Sequence, residues 1–328
     1  MSNSSEYDVV VLGAGGAGMM CAATAGQRGR RVLLLDHANA AGKKIRISGG
    51  GRCNFTNVDA TPSRYLSKNP HFAKSALTRY QPQDFIDLVD RYGIAWHEKT
   101  LGQLFCDGSA QQIIDMLLDE CIAGSVTIRL STQIVEVGKP DGQFVIRTNA
   151  GVFRSAALVI ATGGPSIPKL GATGFAYDLA RQFGMRVVEP KPALVPLTLG
   201  VTDSNYRSLS GLSAETQVTC NNTAFREALL FTHKGRSGPA VLQISSYWSH
   251  GQPIRVDFLP GQESGWLVER KARTPKSRLK TVLAEELPAR LAETLAGQLN
   301  LQSSLSETSD KKLLAAEEQL SRWSFKPN

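Results

Sequence analysis

The stretch Tyr7-Asp-Val-Val-Val-Leu-Gly-Ala-Gly-Gly-Ala-Gly18, followed after a short gap by Arg31-Val-Leu-Leu-Leu-Asp36, decides the fold. Val9 to Leu12 and Val32 to Leu35 are unbroken apolar runs, the pattern of strands covered on both faces. Between them, Met19 to Gly29 is small and apolar enough for a helix lying close on a sheet. The unit is therefore βαβ, and Gly13-x-Gly15-x-x-Gly18 sits at its first strand-to-helix turn. Gly13 permits the tight turn, Gly15 lets backbone approach a pyrophosphate, and Gly18 lets helix and strand pack closely. Asp36 follows Gly18 by 18 residues, where an acid accepts the hydroxyls of an unphosphorylated ribose. A glycine-rich turn alone would be a weak signal. The strand before it, the helix after it and the acid at this spacing together point to a dinucleotide site, for FAD or NAD rather than NADP.

Outward from this unit, Pro82–Tyr92 and Ser109–Cys121 carry helical periodicity, with Ser109 as an N-cap. Val126–Leu130, Ile134–Val137 and Phe144–Thr148 read as strands, the last two joined by the Pro140-Asp-Gly142 turn. Ala157–Ala161 reads as a buried strand re-entering the main sheet, and a helix is expected within Gly171–Gly184. A small β-meander followed by a strand ending Ala161-Thr-Gly-Gly164 is the order found in flavoproteins of this fold, which favours FAD. Pro190, Pro192 and Pro196 mark a crossover. The expected fold class is α/β: a Rossmann-like FAD-binding domain with a β-meander over 1–190, plus an inserted second domain over 191–328. That second domain is expected to be β-rich to about residue 260 and helical thereafter, with a helix over Pro239–Trp248 in its β-rich part.

Composition narrows the function classes. No apolar run approaches the ~18–20 residues that span a bilayer, so a membrane protein is not expected. The polar N-terminus shows no basic-then-apolar pattern, so a signal peptide is not expected. Five cysteines, at 21, 53, 106, 121 and 220, form no Cys-x-x-Cys pair, which argues against a disulfide framework or zinc site and fits the reducing cytoplasm. The net charge of +8 suits an anionic partner such as nucleic acid or a phosphate-bearing cofactor.

A second constellation, Lys43-Lys-Ile-Arg-Ile-Ser-Gly-Gly-Gly-Arg-Cys-Asn-Phe-Thr-Asn57, combines three consecutive glycines with basic side chains and no acid, a pattern suited to holding an anion. With Gly171-Ala-Thr-Gly174 and Leu230-Phe-Thr-His-Lys-Gly-Arg-Ser-Gly-Pro239, this run resembles the BaiN/RdsA (YhiN-type) family of NAD(P)/FAD-dependent oxidoreductases along essentially the whole chain. The resemblance implies FAD as the cofactor. Gly13, Ala14, Gly15 and Gly18 would then hold its pyrophosphate and Asp36 its adenosine ribose. Lys44, Gly50, Arg52, Asn54 and Thr56 would line the FAD, Val135 would touch the adenine, and Thr162, Gly163 and Gly164 would follow the returning strand past it. Family members continue into a glycine-rich strand–helix segment that closes over the isoalloxazine. This chain stops at Trp323-Ser-Phe-Lys-Pro-Asn328, so the site is expected to lack that wall.

The implied activity is reduction of an activated C=C bond, with NAD(P)H as a transient electron donor because the chain has a single dinucleotide fingerprint. Two substrate classes share that chemistry: a uridine of ribosomal RNA, giving dihydrouridine, and a steroid-like small-molecule enone. The rival class is a non-catalytic nucleotide-binding remnant. Cys53, in the loop expected to face the flavin, is a candidate acid, with simple packing as the competing reading. His233 lies in a polar loop with Lys234 and Arg236, read as preceding a helix that starts near Pro239. There it would bind an anionic or carbonyl-bearing substrate, or merely hold its own loop. The run Glu269–Lys280 holds six basic residues against one acid and could meet RNA phosphates, although such runs are mostly solvated surface.

Overall fold

The computed structural model describes residues 5–199, 206 and 208–328. The chain divides into two compact units, 1–188 and 189–328.

The first unit runs β1 (Ser5–Leu12), α1 (Gly16–Gln27), β2 (Val32–Leu35), α2 (Lys43–Ile47), β3 (Asn54–Asn57), α3 (Lys74–Arg79), α4 (Pro82–Arg91), β4 (Trp96–Glu98), β5 (Gln103–Cys106), α5 (Ala110–Ala123), β6 (Thr127–Arg129), β7 (Ile134–Gly138), β8 (Phe144–Thr148), β9 (Gly151–Ile160) and α6 (Phe175–Gln182). Its main sheet has the order β6-β2-β1-β9-β8-β7. The first four strands are parallel, while β8 and β7 turn back antiparallel as the meander. Successive residues of the apolar runs point to opposite faces. Val11, Val32 and Leu34 join the core under α1, α4 and α5; Val10, Leu12, Leu33 and Leu35 join a second core with Ile146, Phe153 and Leu179. Both faces are covered, which is why these strands show no polar alternation.

The re-entering strand is longer than expected. β9 spans Gly151–Ile160 because it serves two partners at once, parallel to β1 and antiparallel to β8. A separate three-stranded sheet, β3-β5-β4, has no signature in the sequence: its strands are three or four residues long and start on polar Asn54 and Gln103.

The second unit runs β10 (Leu197–Thr198), β11 (Ser213–Cys220), β12 (Thr223–Phe231), β13 (Gly235–Ser237), α7 (Pro239–Ser245), β14 (Ile254–Asp257), α8 (Trp266–Arg273), α9 (Leu279–Leu283), α10 (Ala289–Gln298), α11 (Asp310–Ser321) and β15 (Trp323–Phe325). Its sheet, β10-β13-β12-β11-β14-β15, is antiparallel throughout. The region after residue 260 is mostly helical, with one departure: β15 returns to the sheet, pairing Trp323 with Val256 and Phe325 with Ile254. Among the described residues, no helix is long and apolar enough to cross a membrane.

Two cysteines of the first core make stability depend on pH. Burial pushes the thiols of Cys106 and Cys121 up to about 11 from an ordinary 9.0, with neighbouring Cys53 adding to the effect on Cys106. Between these values the unfolded chain has lost the protons that the folded chain keeps, so stability falls as pH rises. The contribution is complete below about pH 9 and is lost towards pH 11, at up to about 2–3 kcal/mol per thiol. Urea midpoints at pH 8 and pH 10.5 check this. The decline should be smaller in Cys121→Ala, and an identical decline there would refute the assignment.

Candidate functional site

The C-terminal ends of β1, β2 and β9 open onto a cleft of about 700 Å3. Its floor is the Gly13–Ala17 turn; its walls come from Asp36 to Ala38, Lys43 to Ile45, Ser131 to Ile134, Ala161 to Gly163 and Leu170 to Phe175. This is where open parallel sheets bind ligands, since the strand ends leave a crevice there.

Three glycines shape the floor in different ways. Gly13 has φ 104°, and a Cβ there would lie 2.6 Å from the carbonyl oxygen of Ala161, so both conformation and space require glycine. Gly15 caps α1 in an extended conformation, and a Cβ there would meet nothing within 4 Å. That open space lies over the first amides of α1, which carry neither a side-chain cap nor an acid in the first turn. Such a helix end presents free N–H groups and partial positive charge to an anion. Gly18 lies within α1 and does not line the cleft; a Cβ there would fall 1.7 Å from Gly13 O, so it serves the contact of helix with strand.

Asp36 is held by two backbone amides. Its Oδ2 accepts from Ala14 N at 2.6 Å and its Oδ1 from Ala38 N at 2.7 Å, which pins the end of β2 to the glycine turn. Each carboxylate oxygen keeps a second lone pair for a ligand hydroxyl. Across the cleft, Thr162 Oγ1 is buried and makes no hydrogen bond, while Lys44 Nζ donates to Ser166 Oγ at 2.8 Å. A buried hydroxyl without a partner on the wall of a cleft marks a place for a polar ligand atom. Open space over free amides, a ribose-ready carboxylate and this hydroxyl fit the ADP half of FAD.

Of the residues expected at the cofactor, the cleft brings together Gly13, Ala14, Gly15, Asp36, Lys44, Thr162 and Gly163. Val135 is 73% exposed and lies outside it; its neighbours Gln133 and Ile134 form that wall. Gly164 faces Tyr177 instead. Gly50 sits on the Ser48–Gly51 turn, Arg52 directly after it, and Asn54 and Thr56 on β3, apart from the cleft walls.

Cys53 is buried in the first unit's core with φ 53°, and burial raises its thiol pKa against an opposing hydrogen bond to Ser48. His233 is exposed at the tip of the β12–β13 hairpin in the second unit. The loop expected to run into a helix is a hairpin: Arg236 and Ser237 pair with β12 before α7 begins, and Arg236 is buried, so His233, Lys234 and Arg236 do not form one cationic cluster. Sequence reading missed His37, Gln133, Asn149 and Phe175 on the cleft walls. Gly171-Ala-Thr-Gly174 supplied the one available signal: Gly171 has φ 90°, and a Cβ there would strike His37 Nε2 at 2.5 Å.

A parallel sheet with this glycine turn, a meander beside it and a cleft shaped for ADP define a Rossmann-type, FAD-dependent oxidoreductase. The HI0933-like protein Rossmann domain is matched over residues 7–306, and the chain belongs to that family. It is similar to the ribosomal RNA dihydrouridine synthase of Escherichia coli, 49% identical over 328 residues that cover 98% of this chain and 82% of that protein. The ribosomal RNA dihydrouridine synthase of Haemophilus influenzae is 42% identical, covering 100% of this chain and 83% of that protein. The 3-dehydro-bile acid delta(4,6)-reductase of Clostridium scindens is 29% identical, covering 77% and 65%.

Proposed function

We propose that this chain is an FAD-dependent reductase that takes electrons from NAD(P)H and saturates the 5,6 double bond of a uridine in ribosomal RNA, in the cytoplasm. The observation that carries this reading is the ADP-shaped cleft in a chain 49% identical, over 98% of its length, to a ribosomal RNA dihydrouridine synthase. A steroid-like enone is the second reading, supported by the more distant bile-acid reductase.

Within this reading Gly13, Ala14, Gly15 and the α1 amides hold the pyrophosphate. Asp36 accepts the adenosine ribose hydroxyls, Thr162 donates its free hydroxyl, and Lys44 supplies positive charge. Gly50, Arg52, Asn54 and Thr56 extend the binding surface along the turn and β3, and Gly163 and Gly164 continue it after β9, with Val135 near the adenine. When bound and reduced by NAD(P)H, FAD would supply the hydride that adds to the carbon β to the substrate carbonyl. The α carbon needs a proton. Cys53 keeps its proton at neutral pH because burial raises its pKa, which suits a donor and not a nucleophile. His233 is the alternative donor.

The test begins with the absorption spectrum of the purified chain and its bleaching by anaerobic NADH or NADPH. It continues with dihydrouridine in the rRNA of a strain lacking its own enzyme and supplied with this chain. Restored dihydrouridine is expected. Flavin that bleaches, no restored dihydrouridine and turnover of an enone would replace the substrate; a colourless chain unable to take up FAD would remove the enzyme reading altogether. Cys53→Ala should slow turnover while leaving bleaching intact.

A further inference from the structure

The positive charge of this chain is not spread over it. Residues 43–80 hold eight Lys and Arg and one acid, Asp59; the other residues hold 29 Lys and Arg against 28 Asp and Glu. Nearly all of the net +8 therefore belongs to one segment of 38 residues. Its first part passes the cleft at Lys43 and Lys44.

Its second part, residues 61–80, is built without a core. The turn at Pro62–Arg64 and helix α3 bury no residue at all. The stretch is held by local bonds such as Tyr65 N to Pro62 O, His71 N to Asn69 Oδ1 and Lys74 N to His71 O. On this surface stand three aromatic rings: Tyr65, Tyr80 and Phe72, the last 80% exposed. Lys and Arg alternate with them in sequence, Arg64-Tyr65, then Lys68, then Phe72, Lys74 and Arg79-Tyr80. Arg64 pairs with Asp59, but among the described residues Lys68, Lys74 and Arg79 take part in no ion pair. The basic run at 269–280 is different. Arg270 pairs with Glu285, Lys271 with Asp310 at 2.8 Å, and Arg273 with Glu269 at 3.8 Å, so half of its cations are already engaged.

Exposed rings among unpaired cations suit one kind of occupant. Bases stack on aromatic faces whatever their identity, while flanking phosphates are met by Lys and Arg. An apolar protein partner would cover the rings but leave the cations without counter-charges, whereas a nucleic-acid strand supplies a base and a phosphate at every step. We infer that residues 61–80 form a docking surface for single-stranded RNA next to the target nucleotide, with Tyr65, Phe72 and Tyr80 as stacking platforms and Lys68, Lys74 and Arg79 as phosphate contacts. The inference rests on the rRNA reading above and adds to it the surface that selects an unpaired strand.

Two triple variants test it: Lys68→Ser/Lys74→Ser/Arg79→Ser and Tyr65→Ala/Phe72→Ala/Tyr80→Ala. The probe is a short fluorescein-labelled single-stranded oligouridine followed by anisotropy. The charge variant should bind about tenfold or more weakly, with a plot of log affinity against log salt shallower by about 2, as loss of three contacts to a single strand requires. The aromatic variant should also lose about tenfold or more, with an unchanged slope. Both should keep the wild-type flavin spectrum and NAD(P)H bleaching, which also verifies folding; Lys68→Glu/Lys74→Glu replaces any variant that fails this check.

Wild-type affinity in both variants, with dihydrouridine still formed in rRNA, would overturn the docking surface and leave the function standing. Wild-type chain that neither binds RNA nor restores dihydrouridine would overturn the function and the surface with it. Loss of self-association in the aromatic variant without loss of RNA affinity would assign the face to a second copy and overturn the inference.

Discussion

Gly18→Ala is expected to yield a chain that has lost both its flavin and much of its stability, whereas Gly15→Ala loses the flavin from an intact fold. The two glycines stand three residues apart in one motif, yet a methyl group meets opposite conditions at each. At Gly18 the new carbon would lie 1.7 Å from Gly13 O and 3.0 Å from Gly13 C, both main-chain atoms of the turn that shapes the cleft. No rotamer relieves a clash between backbones, so α1 has to move off β1. Overpacking of cores costs ~1–3 kcal/mol, and this case belongs at or beyond the upper end. A thermal midpoint lower by about 6 °C or more follows for a unit of this size. At Gly15 the methyl meets nothing within 4 Å, and φ −84° suits alanine. The cost to the helix cap is below about 1 kcal/mol, but the methyl fills the space where phosphate oxygens approach the α1 amides. Circular dichroism melting and the flavin-to-protein absorbance ratio separate the two outcomes. A Gly15→Ala chain with a full flavin complement would show that the turn is not the cofactor floor, and a Gly18→Ala chain melting like wild type would show that α1 does not need the close approach to the turn.

This contrast also shows which parts of the site can be read from sequence. The Gly13–Gly18 turn, Asp36 and the Thr162-Gly163 return are local devices: each is required by backbone geometry within a few residues or at the fixed length of a βαβ unit. They stand out before any contact is known. The wall at Gln133 and Ile134 depends instead on which residues of a short edge strand face inward, and Val135 turns out 73% exposed. Asn149 reaches that wall through a bond to Gln133 N across 16 residues, a pairing set by the β7–β8 hairpin and invisible in either segment alone. The surface at residues 61–80 escaped notice for another reason. Its cations are spaced out among rings and turns, so they form no run, and only their freedom from ion pairs separates them from the more conspicuous cluster at 269–280.

In the second unit, the β-rich character up to about residue 260 was legible, and β11 within it alternates buried and more exposed residues as a half-covered strand does. The last strand was not. Trp323-Ser-Phe325 is three residues long, and only its pairing with Val256 and Ile254 makes it β-structure. Arg236 was misjudged by the same logic. An arginine in a polar loop reads as a surface cation, because Arg is rarely buried. The rings that enclose it come from three places in the chain: Phe231, paired with it in the same hairpin, and the distant Tyr206 and Trp323-Ser-Phe325.

Arg236→Ala should therefore be among the most damaging substitutions in the second unit, at about 3–5 kcal/mol. The side chain is 1% exposed and is the largest of the fully buried ones. Its guanidinium carbon lies 4.5 Å from the ring centre of Phe231, 4.9 Å from Tyr206, 5.7 Å from Trp323 and 6.0 Å from Phe325, and its Nη1 donates to Gly235 O at 3.2 Å. Truncation opens a cavity among these rings and removes cation–π attraction worth about 2 kcal/mol where water is excluded. It also loosens β15, since Trp323 and Phe325 lose the group they close over, while Trp323 Nε1 still donates to the Tyr206 hydroxyl at 2.6 Å. Arg236→Lys keeps the charge but not the planar group that stacks on rings, so it should recover only part of the loss. A double-mutant cycle with Trp323→Ala should give a coupling of about 0.5–2 kcal/mol in urea unfolding, because both changes remove one shared contact. Additive losses would mean that the arginine and the tryptophan stabilise the unit separately. The return of β15 would then rest on its strand pairing with β14 and not on the cation beneath it.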